Sequence, residues 1–197
     1  MTEKEKAKAG YLYDANYEPS LTKEREECSE KIYDYNSTRP SDNKTRFEIL
    51  KTIFGSVDES AKVNSPFHCD YGYNIHVGKN FFMNYNGVIL DCNEVNIGDN
   101  VFIAPNVVIS CAGHAIDEEQ RNKGLEIGWK ITIGNSVWIG ANVTILPGVT
   151  IGNNVVIGAG SVVNKDIPSN VIAVGNPCKV LRSITEKDKT KYKLIED

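Results

Sequence analysis

The stretch from Ile131 to Pro168, ITIGNSVWIGANVTILPGVTIGNNVVIGAGSVVNKDIP, decides the fold. Ile133, Ile139, Ile145, Ile151, Ile157 and Val163 recur every six residues, and four positions after each come Val137, Val143, Val149, Val155, Ser161 and Ile167. Gly134, Gly140, Gly152 and Gly158 follow the lead residue directly, with Leu146 and Asn164 as departures. A fixed six-residue period of this kind marks a parallel β-helix. Each unit is a short β-branched strand and a turn, and three units close one triangular coil. The lead Ile or Val points to the axis and stacks on its counterpart one coil away, at a strand spacing of about 4.8 Å. The glycine beside it is expected to supply backbone angles that a side chain disfavours. An α-helix is excluded, because six is not a multiple of 3.6 and the β-branched and glycine content is wrong for one.

Working outward, Val57, Val63, Cys69 and Ile75 begin the repeat, which shifts by two to Val77, Met83, Ile89 and Val95, and by two again to Ile97, Ile103 and Ile109. A shift of two preserves the side-chain parity of a strand, so the same face stays inside and the shifts read as longer corners. The count onward from Ile109 reaches Arg121, which cannot sit on an apolar axis alone. Residues 112–128 are therefore an excursion from the coil, polar and bounded by glycine, of a length that in compact domains tends to carry function. The coil spans 57–182 in about five to six turns. Residues 1–56 lack the period and read as a small helical cap over the open end of the solenoid. One helix is expected from Ser20 to about Tyr35, with Leu21, Cys28, Ile32 and Tyr35 on one face, and a second from Ser41 or Asp42, with Phe47, Leu50 and Phe54 in register. Residues 183–197 read as a basic tail or short helix.

The 197-residue chain carries a formal net charge of −4 and 41% apolar residues, which argues against a general nucleic-acid binder. Residues 163–197 hold seven Lys or Arg against five Asp or Glu, a local +2. Five scattered cysteines without a C-x-x-C pair, and no leader-like start, point to a reducing cytoplasm. No apolar run is long enough to span a membrane.

Three histidines are present. His76 alternates with the inward Ile75 and Val77 and so points outward, and His68 lies near a corner. His114 follows Gly113 at the mouth of the excursion, directly after a strand that fixes its place. An isolated loop histidine is usually unremarkable, but a rigid scaffold and a long excursion favour a site, and imidazole titrates in the range suited to removing a proton from a hydroxyl. Asn84, Asn86 and Asn93 fall near corners with Asp70 and Asp91 close in frame. Most of these are explained by the turn preference of Asn and Asp, yet Asn84 points opposite to Met83 and presents an amide outward. Zinc bound by three histidines is the rival chemistry. It would resemble the β-helix carbonic anhydrases, whose paired ligands follow H-x4-H, whereas the spacings here are eight and thirty-eight. A scaffold protein without catalysis is the first alternative to an enzyme, ahead of a zinc lyase.

With repeat, excursion and His114 placed, the chain resembles the maltose and galactoside O-acetyltransferases. The likeness rests on Asp70-Tyr71-Gly72-Tyr73-Asn74-Ile75-His76-Val77-Gly78, Asn84-Tyr85-Asn86, Ile103-Ala104-Pro105-Asn106-Val107, Gly113-His114, the run from Ile133 to Gly140, the run from Gly158 to Pro168, and Gly175-Asn176-Pro177. The resemblance implies a left-handed β-helix, a handedness the pattern itself does not give. It also implies a homotrimer with sites between neighbouring prisms, and acetyl transfer from acetyl-CoA to a sugar hydroxyl without a metal. It makes His114 the general base and Asn84 a partner of the acceptor or oxyanion. Asp14, Asp70, Asp91 and Cys92 become acceptor contacts. The galactoside enzymes carry an acidic residue where this chain has Cys92, a departure that favours a glucose- or maltose-type acceptor. Ala141 and Ala159 match the bed of the pantetheine arm, and Asn164, Lys165, Lys179 and Arg182 match its phosphate and adenine end. Trimer formation rests on the resemblance alone, because the outward positions show no clear apolar stripe in the sequence.

Overall fold

The computed structural model of the chain describes residues 1–192, so residues 193–197 of the expected tail lie outside the described residues. Three parallel sheets form the faces of a triangular prism. The first stacks Ser56–Val57, Ile75–Val77, Val95–Ile97, Ile131–Ile133 and Thr150–Ile151. The second stacks Lys62–Val63, Phe82–Met83, Phe102–Ile103, Trp138–Ile139, Val155–Ile157 and Val171–Val174, and ends on the antiparallel strand Lys179–Ser183. The third stacks Phe67–Cys69, Gly87–Leu90, Val108–Ser110, Thr144–Ile145 and Val162–Val163.

Register explains the frame shifts. Val57 pairs with Val77 and Val77 with Ile97, an advance of twenty residues per coil. Ile133 pairs with Ile151, an advance of eighteen. Ile97 pairs with Ile133, thirty-six residues on, because the excursion leaves and rejoins the coil between them. The axis is filled by apolar ladders such as Met83, Ile103, Ile139 and Ile157, each 1% exposed or less. Side chains of this size, fully removed from water, contribute about 1.5–3 kcal/mol each before entropy is counted.

The glycines after the lead residues do not serve the purpose expected of them. None of Gly134, Gly140, Gly152 and Gly158 has a positive φ; that conformation falls instead on Asn80, Asn86, Asn100, Asn106, Ser136, Asn142, Asn154 and Asn170. Glycine is required for space. A Cβ on Gly134 would stand 2.5 Å from Asn153 Oδ1, which accepts from the Asn135 N–H at 2.7 Å. The left-handed corners fall mostly to Asn, the residue besides glycine that tolerates them best, with Ser136, Gly148 and Gly160 at others. Their amides also bond between coils, as from Asn86 to Asn106 at 2.8 Å.

Helix α1 (Glu3–Lys8), α2 (Pro19–Ser37) and α3 (Asn43–Ile53) form the cap. Leu21, Cys28, Ile32 and Tyr35 are the buried face of α2, as their spacing predicts. In α3 the buried residues are Arg46, Leu50 and Ile53, with Phe54 just beyond and Phe47 only half-buried. Arg46 is tolerated inside because its guanidinium donates to the carbonyls of Tyr35, Thr38 and Val63. The strand Tyr13–Asp14 is an element that the helical reading of residues 1–56 lacks.

The second sheet carries an outward apolar stripe. Phe82, Phe102, Trp138, Val156 and Ile172 are ladder neighbours, and Phe102 and Trp138 remain 49% and 55% exposed. Among the described residues, no helix is long and apolar enough to cross a membrane.

Candidate active site

The excursion is a folded hairpin. Ala112–His114 runs antiparallel to Leu125–Gly128, with His114 opposite Glu126, and helix α4 (Glu118–Asn122) forms its tip. Asp117 caps α4 by accepting from Gln120 N–H at 2.9 Å. Arg121 closes the loop by donating to the carbonyls of Ala115 and Ile116, which is how a charge that cannot enter the axis is accommodated. Tyr13–Asp14 adds a third strand on Leu125–Glu126. Asn93 donates from its buried amide to the carbonyls of Ala7 and Gly128, tying cap, coil and hairpin together.

These elements enclose a cleft of about 390 Å³ whose lining includes Tyr13, Arg25, Asp70, Cys92, His114 and Glu126. His114 is half exposed there, and its Nδ1 lies 3.1 Å from the Leu125 carbonyl. A carbonyl only accepts, so this bond puts the ring proton on Nδ1 and leaves the Nε2 lone pair free. Nε2 stands 3.7 Å from Glu126 Oε1, while Glu126 Oε2 accepts from the Tyr13 hydroxyl at 3.2 Å. Burial, and then the Glu126 charge, push the Asp70 carboxyl up to about 6, against the pull of Arg25. Arg25 itself donates to the Tyr71 hydroxyl at 2.6 Å. Burial pushes the Cys92 thiol up to about 12, so Cys92 faces the cleft as a neutral thiol and is a poor nucleophile.

The residues singled out from sequence are thus divided. His114, Asp70 and Cys92 share the cleft. Asp91 does not reach it. The residue is completely buried, and its carboxylate accepts from the backbone N–H groups of Asp70, Tyr71 and Asn74, holding the turn that presents Asp70. Its place beside Cys92 in the sequence suggests an acceptor contact, but strand alternation turns it inward. Asp14 lies behind Tyr13 and closes a turn by accepting from the Asn16 and Tyr17 N–H groups. Glu126, Tyr13, Arg25 and Tyr71 are cleft residues that sequence reasoning misses; the only local signal for Glu126 is its place in a glycine-bounded excursion with His114 at its mouth.

Asn84 is at a different corner from His114. It follows the Phe82–Met83 strand of the second sheet, whereas His114 follows the last strand of the third before the excursion. Its Oδ1 is held by the Asn64 amide at 3.3 Å and the Tyr85 N–H at 2.8 Å, which turns the Asn84 amide nitrogen outward. Ala141 and Ala159 sit on the same corner, one coil apart, where Gly160 N–H donates to the Ala141 carbonyl at 2.8 Å. Asn164 and Lys165 are exposed past the Val162–Val163 strand, and Cys178 N–H bonds the Val162 carbonyl, bringing Lys179 to the same end. Arg182 is engaged by both oxygens of Asp188, at 2.8 and 2.6 Å, so part of its charge is already neutralised within the chain. His68 lies on the third sheet, and His76, on the first, contacts Ser56 at 3.0 Å. Among the described residues no three His, Cys, Asp or Glu side chains converge as a metal site.

Residues 6–58 match the maltose acetyltransferase hexapeptide capping motif, and residues 130–165 match the bacterial transferase hexapeptide of six repeats. The chain is 47% identical to the galactoside O-acetyltransferase of Escherichia coli K12, over 95% of this chain and 92% of that protein. A maltose O-acetyltransferase from Clostridium difficile 630 superposes with a TM-score of 0.92 at 53% identity, covering 94% of this chain and 99% of the other. A galactoside acetyltransferase in complex with coenzyme A superposes with a TM-score of 0.94 at 45% identity, over the whole of both chains. With the capping motif and the repeats both matched and nearly the whole chain shared at this identity, the chain belongs to the maltose and galactoside O-acetyltransferase family.

Proposed function

We propose that the protein transfers the acetyl group of acetyl-CoA to a sugar hydroxyl, with His114 as general base. The observation that carries this reading is the bond from His114 Nδ1 to the Leu125 carbonyl, which leaves Nε2 as the one basic nitrogen directed at a cleft of sugar size. Nε2 takes the proton of the acceptor hydroxyl, the oxygen attacks the thioester carbonyl, and the tetrahedral intermediate expels the CoA thiolate, which takes the proton back from the imidazolium. Neutral Cys92 supports direct transfer without an acyl-enzyme. Asp70 and Cys92 contact the acceptor, with Arg25 and Tyr71 completing that wall.

The donor fits the edge that carries Ala141 and Ala159, where small side chains let an extended thioester arm lie against backbone. Lys165 and Lys179 at its end supply cations for phosphates. The related structure with coenzyme A bound supports this choice of donor. The same layout supports a homotrimer as the working assembly. Asn84 and His114 occupy different corners of one prism, and a neighbouring copy packed on the stripe of Phe102 and Trp138 would bring one chain's Asn84 to the other's His114. There the Asn84 amide would donate to the developing oxyanion.

Release of free thiol from acetyl-CoA, measured against a panel of neutral sugars, tests the reading. Thiol release that depends on a sugar and yields an O-acetyl product is expected. No release with any sugar would leave the scaffold reading in its place.

A further inference from the structure

We propose that Glu126 is a specificity-determining residue for the acceptor, and that it selects a sugar with a second free hydroxyl one or two carbons from the one acetylated. The inference rests on the acetyl-transfer reading above. The two oxygens of Glu126 are in different situations. Oε2 is held by the hydroxyl of Tyr13, a residue 1% exposed and locked to Glu126 by strand pairing. Oε1 faces His114 Nε2 at 3.7 Å, too far for a direct hydrogen bond. A carboxylate offers only acceptor sites, and with Nδ1 protonated Nε2 also accepts. The cleft therefore presents two acceptors side by side and no proton between them.

One hydroxyl can satisfy Nε2, and a neighbouring hydroxyl of the same molecule can satisfy Oε1. The Glu126 side chain is only 18% exposed, so water competes poorly for that oxygen. A hydrogen bond to a partly buried carboxylate is among the stronger ones available to a neutral ligand. The second hydroxyl would thus orient the first toward the base, and a sugar lacking it would bind with the wrong hydroxyl presented or none.

The test uses wild type, Glu126→Gln and Glu126→Asp, with an acceptor identified by thiol release, its acetylated position assigned by NMR, and analogues lacking one hydroxyl each. In wild type, removal of one hydroxyl near the acetylated one is expected to lower kcat/KM by about 10- to 100-fold. Glu126→Gln is expected to lose a similar factor on the parent sugar but little more on that analogue, because both changes delete the same contact. Glu126→Asp, which keeps the charge, should recover part of the loss. The proposal is overturned if no single deoxygenation matters to wild type, or if the two losses multiply. It is overturned equally if Glu126→Gln acts on the parent sugar as wild type does. A wild type inactive on all sugars would instead refute the acetyl-transfer reading.

Discussion

Tyr13 and Glu126 are cross-strand partners separated by 113 residues of chain, and the Tyr13 hydroxyl donates to the Glu126 carboxylate at 3.2 Å. The helical cap therefore does more than cover the end of the solenoid. It sends one short strand across the prism to complete the sheet that holds His114, so residues near the N-terminus belong to the same cleft as the base.

Tyr13→Phe should lower kcat/KM by about 10- to 100-fold, the size of one hydrogen bond to a charged group. The ring still fills its buried position, so the circular dichroism spectrum and oligomeric state should match wild type. Activity equal to wild type would show that the cap does not bear on the site.

Asp91→Ala removes the acceptor for three backbone N–H groups in one buried turn. A loss of about 2–4 kcal/mol of stability is expected, measured as a shift in the urea midpoint. An unchanged midpoint would contradict the structural role assigned to this carboxylate.

Burial raises the Asp70 carboxyl from its ordinary 3.8 to about 6. The folded chain then holds a proton at Asp70 that the unfolded chain has released, so this group's contribution to stability falls as pH rises from about 4 to about 6, and is constant above. Asp70→Asn removes the effect. The melting temperature of Asp70→Asn relative to wild type should rise across that window and then level off; a difference independent of pH would contradict the assignment. Glu126 and Arg25 face Asp70, Glu126 acting in the direction of the shift and Arg25 opposing it. The Asp70 charge in turn helps burial to raise the Asp91 carboxyl to about 7, so the levelling is complete by about that pH.

His114 and Asn84 are expected to meet only between chains. Co-expression of His114→Ala with Asn84→Ala should yield mixed assemblies with activity well above either variant alone, since one site in such an assembly keeps both residues. Trp138→Lys should reduce the mass found by light scattering from three chains to one. Absence of complementation together with an unchanged mass would remove the shared site.

Much of this architecture is legible in the sequence, because a solenoid repeats its physics at fixed spacing. Ile133, Ile139 and Ile145 declare their burial by period alone, and the misfit of Arg121 marks the excursion. The stripe of Phe82, Phe102 and Trp138 escapes notice because its members stand twenty and then thirty-six residues apart, the second gap stretched by that same excursion. Asp91 and Cys92 are neighbours in sequence with opposite fates, since the carboxylate serves the buried turn while the thiol faces the cleft. Glu126 sits between Leu125 and Ile127 and takes its meaning from Tyr13, a partner no local pattern can reveal.

Turnover of His114→Ala with acetyl-CoA and the best acceptor sugar bears most directly on the chemistry assigned here. A fall of about 10²- to 10⁴-fold, with the fold and donor binding intact, is the predicted result for loss of a general base. Turnover within a few-fold of wild type would show that the proton is removed by some other group.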